Sequence, residues 1–249
     1  YGICKNNDFD SRIKCFYDVV NHKNYVYDDC GHGTHVAGIC SGSGANSNGK
    51  YRGIAPESNI VMIKALDFEG KGTASDVLTG IQWIADNCKK YNIRILNMSI
   101  GAGITNTKDP LVRAAEILWD MGIVVVAAAG NNGPQKGTIS SPGISKKIIT
   151  VGSADDINVS ENDIGKSYSG RGPTKECVIK PDVVAPGTNI ISCLCEDNKS
   201  NNYYKSLSGT SMSTPIVSGA IALLLEKAPD LKPDDIKFML KQSCHNLEC

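Results

Sequence analysis

His32, Asn131 and Ser211 lie in separate stretches of the chain, and their side-chain types do acyl-transfer chemistry when brought together. A serine hydroxyl attacks a carbonyl only when a neighbouring base takes its proton. Histidine suits that exchange, because its ordinary pKa lies near neutrality. An asparagine amide can donate to the oxyanion that develops. Each residue also has a plain structural reading: Ser211 as a helix N-cap, Asn131-Asn132-Gly133 as a turn, His32 as a buried histidine. The elements around them decide between the two.

Ser208-Gly209-Thr210 leads into apolar residues at 216, 217, 220, 221, 224 and 225, a helical spacing. Ser211 is thereby expected at a helix N-terminus, where free N–H groups and the helix dipole favour developing negative charge. The small and apolar residues that follow His32 predict a buried helix. Asn131 follows 123–129, a fully apolar strand. Further strands are predicted at 13–20, 60–66, 93–98, 147–151, 181–185 and 189–192. Helices are predicted after the capping box Thr73-Ala74-Ser75-Asp76, over 111–121 and 211–227, and from Pro233. Strands that are apolar on both faces and alternate with helices imply an α/β fold with a parallel sheet covered on each side. Sites of such sheets form at the strand C-terminal ends, the edge on which His32, Asn131 and Ser211 are expected. No repeat or linker divides residues 1–249, which read as one domain.

Lys+Arg and Asp+Glu both number 26 in 249 residues, and 41% of residues are hydrophobic. A balanced charge argues against nucleic acid or an anionic membrane surface as the main partner. No apolar run has the length of a membrane span, and no signal peptide is visible. The ten cysteines are irregularly spaced without a C-x-x-C pair. Reduced thiols and disulfides both fit; the reading leans to reduced thiols, and hence to the cytoplasm, with secretion open.

Gly31-His32-Gly33-Thr34-His35-Val36-Ala37-Gly38 and Gly209-Thr210-Ser211-Met212-Ser213-Thr214-Pro215 resemble the histidine and serine signatures of subtilisin-like serine proteases. Ala127-Ala128-Ala129-Gly130-Asn131 resembles the segment bearing that family's oxyanion asparagine. Arg52-Gly53-Ile54-Ala55-Pro56, Ser75-Asp76-Val77, Asn97-Met98-Ser99-Ile100-Gly101 and Lys180-Pro181-Asp182-Val183-Val184-Ala185-Pro186-Gly187 also resemble family segments, in the family's order. The resemblance implies a three-layer subtilisin-like α/β fold with a central, mostly parallel sheet. It implies a serine endopeptidase with Ser211 as nucleophile, His32 as base, and the Asn131 side chain and Ser211 N–H as oxyanion donors. His35 takes a structural role. Protein or peptide substrates are implied, and a propeptide is allowed.

The substrate would pair with Ser99, Ile100 and Gly101 as an added strand, with Gly70 and Gly72 lining its other side. The specificity pocket would lie between Ala128-Ala129-Gly130 and Ser140-Ser141-Pro142-Gly143. Ser140 replaces a glycine at its base, and Asn132 stands where some relatives have an acid, so an uncharged residue of medium size is expected before the scissile bond. Asp8 matches an acidic calcium ligand of some relatives, but the rest of that loop is not recognisable in 41–52, and no cofactor is required. Cys30 and Cys4 would place thiols near the base and its acid.

The family's triad acid ends a strand within Asp-Thr/Ser-Gly-Ile/Val. Tyr1-Gly2-Ile3 begins just after it, so the acid is expected immediately before Tyr1, and the chain reads as a fragment cut at both ends. If the full chain lacks the acid, an inactive peptide-binding scaffold is the alternative. A metal site on Cys30, His32, His35 and Cys40 lacks paired cysteines and a water-activating Glu. An α/β-hydrolase elbow fails because Ser213 occupies its last glycine's place.

Overall fold

The computed structural model describes residues 1–103, 106, 108–154, 167–195 and 202–245. They form two compact units, Tyr1–Ile93 with Ile190–Leu207, and Arg94–Asn189 with Ser208–Cys249.

In the first unit, β1 (Ile13–Asp18) pairs in parallel with β2 (Ile60–Lys64), from Ile13 opposite Ile60 to Asp18 opposite Lys64. Between them in sequence runs α1 (His32–Ser41). The β2 strand leads to α2 (Ala74–Tyr91), which starts at the predicted capping box: Thr73 accepts from the Asp76 amide, and Asp76 from the Thr73 amide. Its buried residues Val77, Gly80, Ile81 and Ile84 follow the 3.6-residue repeat of a one-sided helix. Two strands from late in the chain complete the unit, β7 (Ile190–Cys193) and β8 (Tyr204–Leu207), paired antiparallel. The sequence reading missed β8, whose Tyr-Lys-Ser-Leu is short and lacks the period-2 alternation of a strand. The α1 helix packs on β7, and Ile3, Phe9, Ala37, Ile60 and Cys193 form the buried core.

In the second unit, β3 (Ile95–Met98), β4 (Val124–Ala128), β5 (Ile149–Ser153) and β6 (Val183–Ala185) form a parallel sheet in that order. Every residue of β4 and β5 is buried, as expected of central strands covered on both faces. The covering helices are α3 (Pro110–Asp120), α4 (Thr210–Lys227) and α5 (Pro233–Ser243). Asp109 caps α3 by accepting from the Leu111 amide, with Pro110 at the first helical position. The α4 helix contacts all four strands, which explains why it is buried around most of its circumference. No helix among the described residues is long and apolar enough to cross a membrane.

Cys4 and Cys195 form a disulfide, against the lean to reduced thiols, while Cys15, Cys30, Cys40, Cys88, Cys177, Cys193 and Cys244 are free. Cys249 lies outside the described residues. Cys4 is therefore not a free thiol near the expected acid, and Cys30, two residues before His32, is free.

Candidate active site

His32 is the first residue of α1, preceded by Gly31 at φ 82°. Gly31 has no side chain to cap the helix, and Asp28 does so from the loop before it. Its Oδ1 accepts from the amides of Gly2 (3.2 Å), Cys30 (3.1 Å) and Gly31 (2.9 Å). Its Oδ2 accepts from the Thr34 amide at 2.9 Å and the Thr34 hydroxyl at 2.7 Å. Burial pushes the Asp28 carboxyl up, but the bonds from Thr34, Gly31 and Cys30 outweigh it and hold the pKa below the usual carboxylate value. Asp28 thus shapes the loop into the histidine helix.

His35, fully buried one turn on, has its Nε2 at 3.1 Å from the Ile190 carbonyl and 3.0 Å from that of Lys205. Carbonyls only accept, so Nε2 carries the proton and ties α1 to β7 and β8. His35 Nε2 is thereby committed to two backbone carbonyls. His32 is half-buried, and burial lowers its pKa to about 4, with His35 and the Tyr1 amino group adding to the effect and Asp28 opposing it. Its Nδ1 is buried and has no partner among the described residues.

Asp8 offers one engaged oxygen, Oδ2, which accepts from the Tyr204 hydroxyl (2.7 Å) and the Asn46 amide (3.2 Å). The Arg12 guanidinium donates to the carbonyls of Asp8, Ser41 and Ser58. Asp8 Oδ1 is buried and has no partner among the described residues.

In the second unit, Ser211 lies in the first turn of α4, whose amides have no partner within the helix. Pro215, inside the helix, has no N–H to give the Ser211 carbonyl. Ser99, just past β3, takes its place: its hydroxyl donates to that carbonyl at 2.8 Å. The Ser211 hydroxyl in turn donates to the Ser99 carbonyl at 3.3 Å. Asn97 fixes Ser99 by donating to its hydroxyl at 2.9 Å, and Ser218 of α4 donates to Asn97 at 2.9 Å.

Asn131 is exposed, two residues past the buried Ala129. Its Oδ1 accepts from both the amide and the hydroxyl of Thr210, each at 3.0 Å. The Thr210 hydroxyl accepts from the Gly130 amide at 3.1 Å. With its carbonyl side occupied, Asn131 has its Nδ2 hydrogens to donate. Sequence reasoning missed Thr210, Asn97 and the part played by Pro215. Adjacency of Thr210 and Pro215 to Ser211 in the signature was the available signal.

The five predicted substrate residues belong to this unit. Gly101 and Gly130 both approach Ser140: a Cβ on Gly101 would lie 3.1 Å from the Ser140 Cβ, and one on Gly130, at φ 92°, only 2.1 Å from the Ser140 hydroxyl. Ser140 therefore lies against both predicted walls and requires glycine at 130. The segment holding Ser99, Ile100 and Gly101 is fixed by a bridge from the Ala102 amide to the Ser141 carbonyl at 3.0 Å. Gly70 and Gly72 lie in the first unit, on the loop after β2.

The subtilase family model matches residues 2–248. The serine protease AprX of Bacillus subtilis (strain 168) is 46% identical over 262 residues, covering 96% of this chain and 58% of AprX. Subtilisin DY of Bacillus licheniformis is 36% identical over 230 residues, covering 92% of this chain and 75% of that protein. Among solved structures, sphericase superposes with a TM-score of 0.81 at 28% identity, covering 97% of this chain and 79% of that one. A cold-adapted subtilisin-like serine proteinase gives 0.77 at 33% identity, covering 97% and 78%. The fold is the subtilisin-like three-layer α/β fold that the motifs implied.

Proposed function

The chain belongs to the subtilase family, and from that premise we propose that it is a serine endopeptidase with Ser211 as nucleophile and His32 as general base. The base takes the hydroxyl proton as Ser211 Oγ bonds to the peptide carbonyl carbon. The carbonyl π electrons move onto oxygen, where the Asn131 amide and the Ser211 N–H receive them. His32 then gives the proton to the leaving amine as the peptide bond breaks, and water hydrolyses the acyl-enzyme by the same route. The observation that carries this reading is the Thr210–Asn131–Ser211 arrangement, with the Asn131 carbonyl occupied and its N–H groups left to donate.

The acid that orients His32 would be the residue joined to Tyr1. The Tyr1 nitrogen lies 3.3 Å from the Leu66 carbonyl just past β2, in the same unit as His32, and the unpartnered His32 Nδ1 is the atom such an acid holds. The family match over residues 2–248 favours one catalytic domain built from both units.

The substrate strand would lie along Ser99, Ile100 and Gly101, with the residue before the scissile bond against the segments 128–130 and 140–143, where Ser140 packs on Gly130. None of these side chains is charged, and the Ser140 hydroxyl takes up space that a glycine would leave. The expected preference is an uncharged residue of medium size. A peptide-library cleavage profile of the chain with its preceding residues tests this, with Ser211→Ala as control. Arg or Lys dominating before the cut contradicts the specificity. No Ser211-dependent cleavage at all favours the scaffold alternative.

A further inference from the structure

The ring of Tyr1 lies over the imidazole of His32, with centroids 4.0 Å apart and planes inclined by 30°. The ring also meets the turn after β2. A Cβ on Gly70 would come within 2.9 Å of the Tyr1 Cε1 and 3.0 Å of its hydroxyl oxygen, and Gly70 has φ +77°. The ring therefore packs against both His32 and Gly70, and a side chain at 70 would crowd it. The segment bearing it is anchored: the Gly2 amide donates to Asp28, the Ile3 amide to the Tyr27 carbonyl at 3.1 Å, and Cys4 is bonded to Cys195. The family pattern has Thr or Ser at the corresponding position. Either is too short to cover an imidazole face.

We propose that Tyr1 is a positioning residue for the base: its ring covers one face of His32, fixes the imidazole plane, and links it to the Gly70 turn. A fixed plane matters because proton transfer from a nucleophile tolerates little misplacement. A covered face also excludes water from the imidazole and disfavours its charged form. The other groups that act on His32 electrostatically are His35 on the same helix, Asp28 before it and Lys205 on β8, and, in the chain with its preceding residues, the proposed acid before Tyr1 in place of the Tyr1 amino group. None of these is removed by changing the Tyr1 ring. The inference rests on His32 being the base, but its first readout does not need activity.

The test compares the wild-type chain, carrying its preceding residues, with Tyr1→Phe, Tyr1→Leu and Tyr1→Ala. The first readout is the titration of the His32 ring protons by NMR. Tyr1→Phe should keep the wild-type midpoint and upfield ring-current shift. Tyr1→Leu and Tyr1→Ala should both lose that shift. The second readout is kinetic: kcat should fall about ten- to a hundred-fold in Tyr1→Ala with KM little changed, and recover in Tyr1→Phe. Tyr1→Leu keeps the bulk and serves if Tyr1→Ala does not fold. Wild-type ring-proton shifts in Tyr1→Leu overturn the proposal, as does an unchanged kcat in an active Tyr1→Ala or Tyr1→Leu enzyme. If the shifts move as expected but the wild type shows no Ser211-dependent turnover, the contact stands and the peptidase reading fails.

Discussion

Thr210 governs how Asn131 presents its amide. Two donors from one residue, the Thr210 amide and hydroxyl, meet the same Asn131 oxygen. An amide flip would turn the Asn131 N–H groups towards those donors and lose both bonds. Thr210→Val keeps the shape and removes one donor. The expected result is a fall in kcat of about tenfold with KM nearly constant, read by steady-state kinetics. That is smaller than the roughly 10²- to 10³-fold loss when an oxyanion donor itself is removed from subtilisin. His32, Asn131 and Ser211 could be proposed from the sequence because each lies in a signature with fixed neighbours. The role of Thr210 could not, because it depends on Asn131, 79 residues away in sequence. The part played by Ser99 was half legible. Its place on the substrate edge could be inferred, but not its bond to the carbonyl that Pro215 leaves free.

At the scale of elements, α1 depends on a cap that lies outside its N-cap position. Asp28→Asn removes the charge that strengthens the bonds from Gly2, Cys30, Gly31 and Thr34, and is expected to lower stability by about 1–3 kcal/mol near neutral pH. The sign of the pH dependence follows from the shift. The folded pKa of Asp28 lies below its ordinary value. Its contribution is therefore full above the unfolded carboxylate value of about 4 and is lost as pH falls through the lower folded value. Denaturant unfolding of wild type and variant should show the difference at neutral pH and its shrinkage in acid. An equal difference throughout would contradict the role. The capping box of α2 and the apolar run of β4 were legible, because both are set by local spacing. The β8 strand was not, since its pairing with β7 determines it more than its composition does. Nor was the Cys4–Cys195 bond, which joins cysteines separated by 191 positions through the fold alone.

Across the whole molecule, the family match includes residues of both units, and the motifs that implied it are distributed between them. The α/β class was legible from alternation alone, whereas the subtilisin-like fold needed the motif order. The division into two compact units was not legible, because no linker or change in composition marks it. The central claim is that Ser211 is a nucleophile activated by His32 rather than a helix cap. It is tested most directly by treating the chain, with its preceding residues, with a fluorophosphonate and mapping the adduct by peptide mass spectrometry. The account predicts a single adduct, on Ser211, that forms in the wild type and is suppressed by at least about a thousand-fold in rate in His32→Ala. An adduct on Ser213 or another serine, or labelling of Ser211 at the wild-type rate without His32, would contradict it.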